Sequence, residues 1–281
     1  MKERPASTDP LPRAVADSHC HLDVTDQDLG DSLDPDEALA LARDAGVTRV
    51  VQVGCDVDSS TWAADFAETR SDVVAAVGLH PNEVPRIVAR DGREGLQAAF
   101  ASIEALAMLP SVRAVGETGL DYFRTPNIED QALQHQSFRW HIDLAKRTDR
   151  TLVIHDREAH ADVLRILDEE GAPDRVVFHC FSGDAVMARY CAERDWLCSF
   201  AGVVTYKNAE DLRQALRVLP RHAMLVETDA PYLTPVPHRG ASNASYLVPF
   251  TVRAMATVRD EPLDQVCEDL WSNTERAFGS W

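Results

Sequence analysis

Residues 16–23 read ADSHCHLD, and the residue types in that stretch decide between two architectures. The apolar run that leads into it, AVADSHCHL over 14–22, predicts a first β-strand. A doubly wound open sheet would favour a glycine-rich turn directly after such a strand. HCHLD has no glycine; it offers two histidines and an aspartate. Side chains on a strand alternate between faces, so His19 and His21 share one face and Cys20 takes the other. Asp17 lies on the histidines' face, one layer deeper.

Working outward, the same kind of run recurs along the chain. The further candidate strands are RVVQVGC (49–55), VVAAVGLH (73–80), VRAVGETGL (112–120), TLVIHD (151–156), VVFHCF (176–181), LCSFAGVV (197–204) and MLVETDAP (224–231). Helical segments separate them. PDEALALARDAG has Gly46 as a stop, and EDQALQHQSFRWHIDLAKR carries apolar residues at helical spacing. The stretch from Ser245 to Trp281 predicts two closing helices. Strands alternating with helices predict a parallel sheet, and eight of them close a barrel. The expected fold is therefore α/β, a (β/α)8 TIM barrel in a single domain over 14–281, preceded by a short flexible tail over 1–13. A chain of 281 residues, 45% hydrophobic, suits one such core.

The formal net charge of −18 argues against a general nucleic-acid coat, which needs a basic surface. It leaves room for an enzyme that meets phosphate with metal ions and a few arginines. The six cysteines form no CxxC pair and are too sparse for a disulfide scaffold. No apolar run is long enough to span a bilayer, and the N-terminus lacks the apolar core of a signal peptide. A cytoplasmic protein with reduced thiols and no membrane contact is the expectation.

In a barrel of this kind the active site lies at the C-terminal ends of the strands. That is where the unusual residues fall: His19 and His21 on the first strand, His80 on the third, Glu117 on the fourth, His155 on the fifth, His179 on the sixth and Asp229 on the eighth. A lone histidine on a strand is ordinarily a satisfied core or surface residue. Gathering this many ionisable groups is costly unless something compensates, and metal cations would. Asp17 stands behind His19 as Glu227 stands behind Asp229, each placed to orient a ligand, and Asp23 is a further support. His80 opens HPNE, which reads either as a substrate contact or as a turn with a helix cap. His135, His141 and His160 fall on helical segments and are expected to be solvated. Cys55 and Cys180 are expected to pack.

Taken together, DSHCHLD, VGLHPNEV, AVGETGLDYFR, LVIHDREAH, VFHCFSG and VETDAPYLTPVPHRG resemble the TatD family of metal-dependent deoxyribonucleases, amidohydrolase-like metal barrels. The resemblance runs through all eight expected strands in order. It implies that His19, His21 and Asp229 hold one divalent metal, that His155 and His179 hold a second, and that Glu117 bridges the two. There is one departure: in PHRGASNASYL, Ala241 stands where the family usually has a basic residue and Ser245 where it has Pro, which puts a phosphate contact from position 241 in doubt.

Four neutral imidazoles and two carboxylates bring a charge of about −2 against +4 from two divalent cations, which suits a hydroxide and an anionic substrate. Two metals would lower the pKa of a shared water, polarise a phosphoryl oxygen and stabilise the leaving oxygen. A carboxylate such as Glu117 has lone pairs enough to bridge, and Asp229 could take the water's proton as general base. Nitrogen-rich ligands favour Zn2+ or Mn2+, whereas the family is often described as Mg2+-dependent. Arg124, Arg157, Lys207, His238 and Arg239 follow the strands on loops, and arginine's planar fork suits phosphate. Of the candidate substrate contacts His80, Arg124, Lys207 and Arg239, the last two stand out. The expected function is metal-dependent hydrolysis of DNA phosphodiesters, exonucleolytic on single-stranded ends, by a monomer.

Three rivals bear on that reading. An amide-ring hydrolase of this barrel class typically uses a carboxylated lysine, but the three lysines, Lys2, Lys146 and Lys207, lie away from the ends of strands four and five. A two-metal hydrolase of another ester, whether phosphate, lactone or aminoacyl, stays open on the ligands alone. A non-catalytic metal-binding scaffold fits less well, because structural zinc sites are closed and sulfur-rich.

Overall fold

The computed structural model describes residues 4–24 and 33–281. Residues 1–3 of the expected tail lie outside them. The strands are β1 (Val15–Cys20), β2 (Val47–Val53), β3 (Val73–Val77), β4 (Val112–Asp121), β5 (Thr151–Arg157), β6 (Val176–Phe178), β7 (Leu197–Phe200) and β8 (Met224–Val226). They form one sheet of eight strands in the order β1 to β8, and a parallel bridge joins Cys20 to Ala230, just past β8. Helices alternate with them: α1 (Pro35–Asp44), α2 (Val57–Glu68), α3 (Glu83–Ala107), α4 (Ile128–Thr148), α5 (His160–Glu170), α6 (Ala185–Ala192) and α7 (Glu210–Val218), closed by α8 (Val248–Arg259) and α9 (Leu263–Phe278). This is the (β/α)8 barrel, with the two closing helices where the sequence placed them.

The chain's contacts concentrate within two units, one of residues up to 52 with 180–280 and one of 53–179. In the first unit β1 pairs with β2 and β7 with β8, all parallel. Its helices start on sequence signals. The Asp34 side chain accepts the N–H groups of Asp36 and Glu37 ahead of Pro35, and Asp184 caps α6 through Val186 and Met187. Leu11 is buried and donates its N–H to the carbonyl of Ala45, while the Tyr246 hydroxyl donates to the carbonyl of Pro5.

In the second unit β3, β4, β5 and β6 pair in parallel succession. Asp56 and Ser59 close a reciprocal capping box on α2, and Asn127 caps α4. The ladder between β4 and β5 is irregular: Val115 faces Leu152, yet Thr118 faces Ile154, so β4 carries one extra residue between them. Such a bulge re-aims side chains, and it falls on Gly116 and Glu117. Gly116 has φ 146, and a Cβ there would sit 2.4 Å from the carbonyl oxygen of Val153. The bulge therefore needs glycine.

Several strands stop earlier than the apolar runs suggest. β6 ends at Phe178 and β8 at Val226, so His179 and Asp229 stand in the loops just beyond. Cys180 and Asp229 adopt left-handed backbone, φ 42 and 57, which cannot continue a ladder. His141, expected to be solvated, is fully buried on the inner face of α4 with Phe138, Ile142 and Ala145. Its Nδ1 lies 2.8 Å from the carbonyl of Ser137, and its Nε2 lies 3.1 Å from the Leu79 N–H. Nδ1–H thus donates and Nε2 accepts. Burial lowers the His141 pKa to about 4, keeping it neutral.

Candidate metal centre

In the first unit, His19 lies on β1 within a register shift between Asp17 and Cys20, His21 lies one residue past the strand's end, and the two rings meet. Their Nε2 atoms are 3.3 Å apart, and both rings are buried. Oδ1 of Asp229 lies 3.4 Å from Nε2 of His21 and 3.9 Å from Nε2 of His19. The left-handed backbone of Asp229 turns its carboxyl there; Asp tolerates that conformation better than most residues, and strain of this kind gathers at functional sites.

Around this cluster a set of buried hydrogen bonds fixes the chain. Asp17 is wholly buried; Oδ1 accepts the N–H of Thr228 at 2.8 Å and Oδ2 the Thr228 hydroxyl at 2.6 Å. The His19 N–H also donates to Oδ1, at 3.3 Å. Asp17 thus holds the backbone behind both His19 and Asp229. Burial pushes its pKa up to about 6, with the Thr228 hydroxyl the largest opposing contribution. Asp23 accepts from the Gln52 amide at 2.7 Å, and Gln52 accepts the N–H of Leu22. Oε1 of buried Glu227 accepts the N–H of Cys180 at 2.8 Å. Asn243, retained where Ala241 and Ser245 depart from the family pattern, donates to the carbonyls of Thr228 and Tyr232.

In the second unit, one carboxylate oxygen gathers three imidazoles. Oε1 of Glu117 lies 2.7 Å from Nδ1 of His155, 3.2 Å from Nε2 of His179 and 3.5 Å from Nε2 of His80. The other nitrogen of His155 lies 3.3 Å from Oδ2 of Asp121, which also accepts from the Asn82 amide at 2.9 Å. Burial works against the charge on Glu117, but the surrounding imidazoles prevail and hold its carboxyl well below the usual range. His155 moves the other way: burial opposes its charge, yet the Asp121 and Glu117 carboxylates raise it to about 9. Burial lowers His80 to about 3, against the pull of Glu117.

These donor sets fit a divalent cation. His80, Glu117 and His155 offer ligand atoms that all lie within 4.8 Å of one another. The donors in both clusters are imidazole nitrogen and carboxylate oxygen, the set that suits zinc, manganese and their neighbours. Buried groups of this kind are expensive to hold together without a counter-charge.

His80 does both things that HPNE allowed: its Nε2 stands beside Glu117, while its Nδ1 accepts the Asn82 N–H at 3.1 Å and its carbonyl accepts the Glu83 N–H in the turn that opens α3. Cys55 differs from its expected packing role, with Sγ 3.7 Å from Oε2 of Glu117. Arg124 and Lys207 are exposed on the loops after β4 and β7, and Arg124 uses its backbone N–H to cap Asp121 at 2.8 Å. The exposed Arg239 lies 4.4 Å over the ring of Tyr206. Sequence reasoning missed Asp121 and Gln52. Asp121 shares strand parity with Glu117 four residues earlier, which was the available signal; Gln52 offered none.

The fold and these clusters define a metal-dependent hydrolase of the barrel class, and comparison with known proteins places the chain within it. The family model described as TatD related DNase matches residues 16–279, and the chain belongs to that family. It is 44% identical over 271 residues to an uncharacterized metal-dependent hydrolase TatD of Mycobacterium tuberculosis, covering 94% of this chain and 98% of that one. It is 36% identical to the uncharacterized metal-dependent hydrolase YcfH of Escherichia coli K12, over 94% of this chain and 95% of the relative. Among solved structures it is similar to YJJV, a TatD homologue of Escherichia coli k12, with TM-score 0.83, 26% identity, and coverage of 94% and 97%.

Proposed function

We propose that the protein hydrolyses DNA phosphodiesters, acting on single-stranded ends, with one divalent cation at His19, His21 and Asp229 and a second at His155, His179 and Glu117. The observation that carries the reading is the pair of largely buried donor clusters, each built from imidazole and carboxylate on a chain whose family model is named for DNase activity. By the family resemblance, Glu117 would serve as a ligand to both cations. Bound there, the cations would activate a water and neutralise the phosphoryl group.

The protein's own groups do the rest. Asp229 accepts the water's proton at its carboxylate. Asp121 holds the His155 ring in one orientation through the distal nitrogen. Asp17 fixes the backbone on which His19 and Asp229 are mounted. His80, beside Glu117, and the exposed Arg124, Lys207 and Arg239 meet the substrate. The net charge of −18 favours short-range engagement of single phosphates over a grip on long duplex, since bulk charge counts little beyond a Debye length of about 8 Å. A cytoplasmic location accords with six cysteines of which none is in a disulfide. Among the described residues no helix is long and apolar enough to cross a membrane.

A hydrolysis screen tests the proposal. Metal-stripped protein reloaded with Mg2+, Mn2+ or Zn2+ is offered labelled single- and double-stranded oligonucleotides, together with generic phosphate and acyl esters. Turnover of single-stranded DNA above all the others is expected. Turnover confined to another ester would replace the reading with that of a different two-metal ester hydrolase. Bound metal with no turnover on any of them would replace it with a metal-binding scaffold.

A further inference from the structure

Phe123 is 54% exposed on the loop that follows β4, and the Arg157 guanidinium lies 4.0 Å from the centre of its ring. A large apolar side chain at a barrel mouth is unremarkable if its loop is free to fold it away. This loop is pinned on both sides of the phenyl. One residue before it, the Tyr122 hydroxyl lies 2.6 Å from Nε2 of His135 and 2.6 Å from Oδ2 of Asp162, while the Tyr122 N–H donates to the carbonyl of Arg157. One residue after it, the Arg124 N–H donates to Asp121. The Thr125 hydroxyl then donates to the side-chain oxygen of Asn82 at 3.0 Å. The loop is thus anchored on both sides of a ring that is about half exposed and has a cation over one face.

The position matters as much as the rigidity. Arg157 lies two residues past His155 on β5, and Phe123 two residues past Asp121 on β4, whose carboxyl bonds His155. Asp121 and Arg157 are partners in the β4–β5 ladder, so the Phe123–Arg157 pair stands just beyond the mouth-side end of that ladder.

We propose that the exposed face of Phe123 is a stacking platform for an unpaired nucleobase of the single-stranded substrate, with Arg157 stacked on the opposite face and its charge turned toward the sugar–phosphate chain. Every base presents a π-face, so such a platform is tolerant of sequence, and a guanidinium behind the ring adds a cation–π contribution. A paired base is already stacked on its neighbours and gains nothing from it. The platform gives the acidic protein a grip that does not depend on net charge and a preference for unpaired ends. This inference rests on the nuclease reading for its substrate class.

Binding and turnover are measured separately. The cation-loaded protein is titrated into fluorescein-labelled single-stranded oligonucleotides with phosphorothioate linkages to block hydrolysis, carrying 2-aminopurine, whose emission is quenched by stacking, and into the same strands with abasic sites. The parent is expected to bind the intact strand, with quenching, on the order of tenfold more tightly than the abasic one. Phe123→Ala should lose that tenfold and the quenching on the intact strand and leave abasic binding unchanged; Phe123→Trp should restore both. An unchanged Phe123→Ala variant, or one that weakens both strands alike, overturns the platform. Absence of oligonucleotide binding by the parent also overturns it. Binding and quenching without hydrolysis in metal would keep the platform and overturn the nuclease reading alone. Hydrolysis with an indifferent Phe123→Ala would do the reverse.

Discussion

Nδ1 of His155 stands 2.7 Å from Oε1 of Glu117, while its Nε2 faces Asp121 at 3.3 Å. One ring is thus held between two carboxylates, one of which also faces His179 and His80. Removing the ring should empty the cluster it belongs to; removing the carboxylate's charge should do more. On the proposed reading, in which Glu117 would serve both cations, metal analysis of His155→Ala is expected to show loss of one cation and Glu117→Gln loss of both. Full metal content in either variant contradicts the assignment.

Oδ2 of Asp121 lies 3.3 Å from the distal nitrogen of His155. Asp121→Asn keeps the shape but weakens the acceptor, so metal affinity is expected to fall 10- to 100-fold, the usual scale for groups behind a ligand. Competition against a chromophoric chelator measures it. An unchanged affinity would reduce Asp121 to a brace for its own loop.

His141 makes stability depend on pH. Its folded pKa is about 4 against an ordinary 6.5, so between these values the unfolded chain binds more protons. Stability is full above pH 6.5 and is lost as pH falls toward 4; from pH 7 to pH 5 the loss is about 2 kcal/mol. His141→Gln, which cannot titrate, should show a correspondingly smaller fall in denaturation midpoint over that interval. Equal falls in the two proteins would contradict it.

Gly119 has φ 129, and a Cβ there would sit 2.1 Å from the carbonyl oxygen of His155. Gly119→Ala must therefore strain the backbone and push β5 at the residue that carries the candidate ligand. A loss on the order of 2 kcal/mol is expected in chemical denaturation. A neutral substitution would mean that the two strands separate without cost.

Arg239 stacks on Tyr206 at 4.4 Å and is exposed, with Ala241 nearby offering no charge. Arg239→Ala should raise KM several-fold with little change in kcat, because it removes binding common to ground and transition states. The salt dependence of KM should flatten as well. Identical KM and salt slope would leave it a surface charge.

Much of this was legible because strand geometry is simple. HxH predicts both rings on one face, and the Nε2 atoms of His19 and His21 stand 3.3 Å apart even though β1 ends at Cys20 and its register shifts after Asp17. The strand-and-helix alternation led directly to the barrel. What escaped the sequence depended on irregularities. The β4 bulge and the left-handed turns at Cys180 and Asp229 decide how Glu117, His179 and Asp229 project, and periodicity does not report them. A histidine on a helix reads as polar, but the spacing of His141 from Phe138 and Ala145 puts it on the buried face. Strand parity does not carry past the end of β2, where the Cys55 sulfur meets Glu117.

The most direct test of the account is the rate of single-stranded DNA hydrolysis by the parent and by the His19→Ala, His21→Ala double variant, purified in parallel and assayed in chelator and then in added Mn2+ or Mg2+. The parent should be silent in chelator and recover with metal, while the double variant stays silent in both. A double variant that degrades DNA as fast as the parent would show that the hydrolysis does not belong to this site.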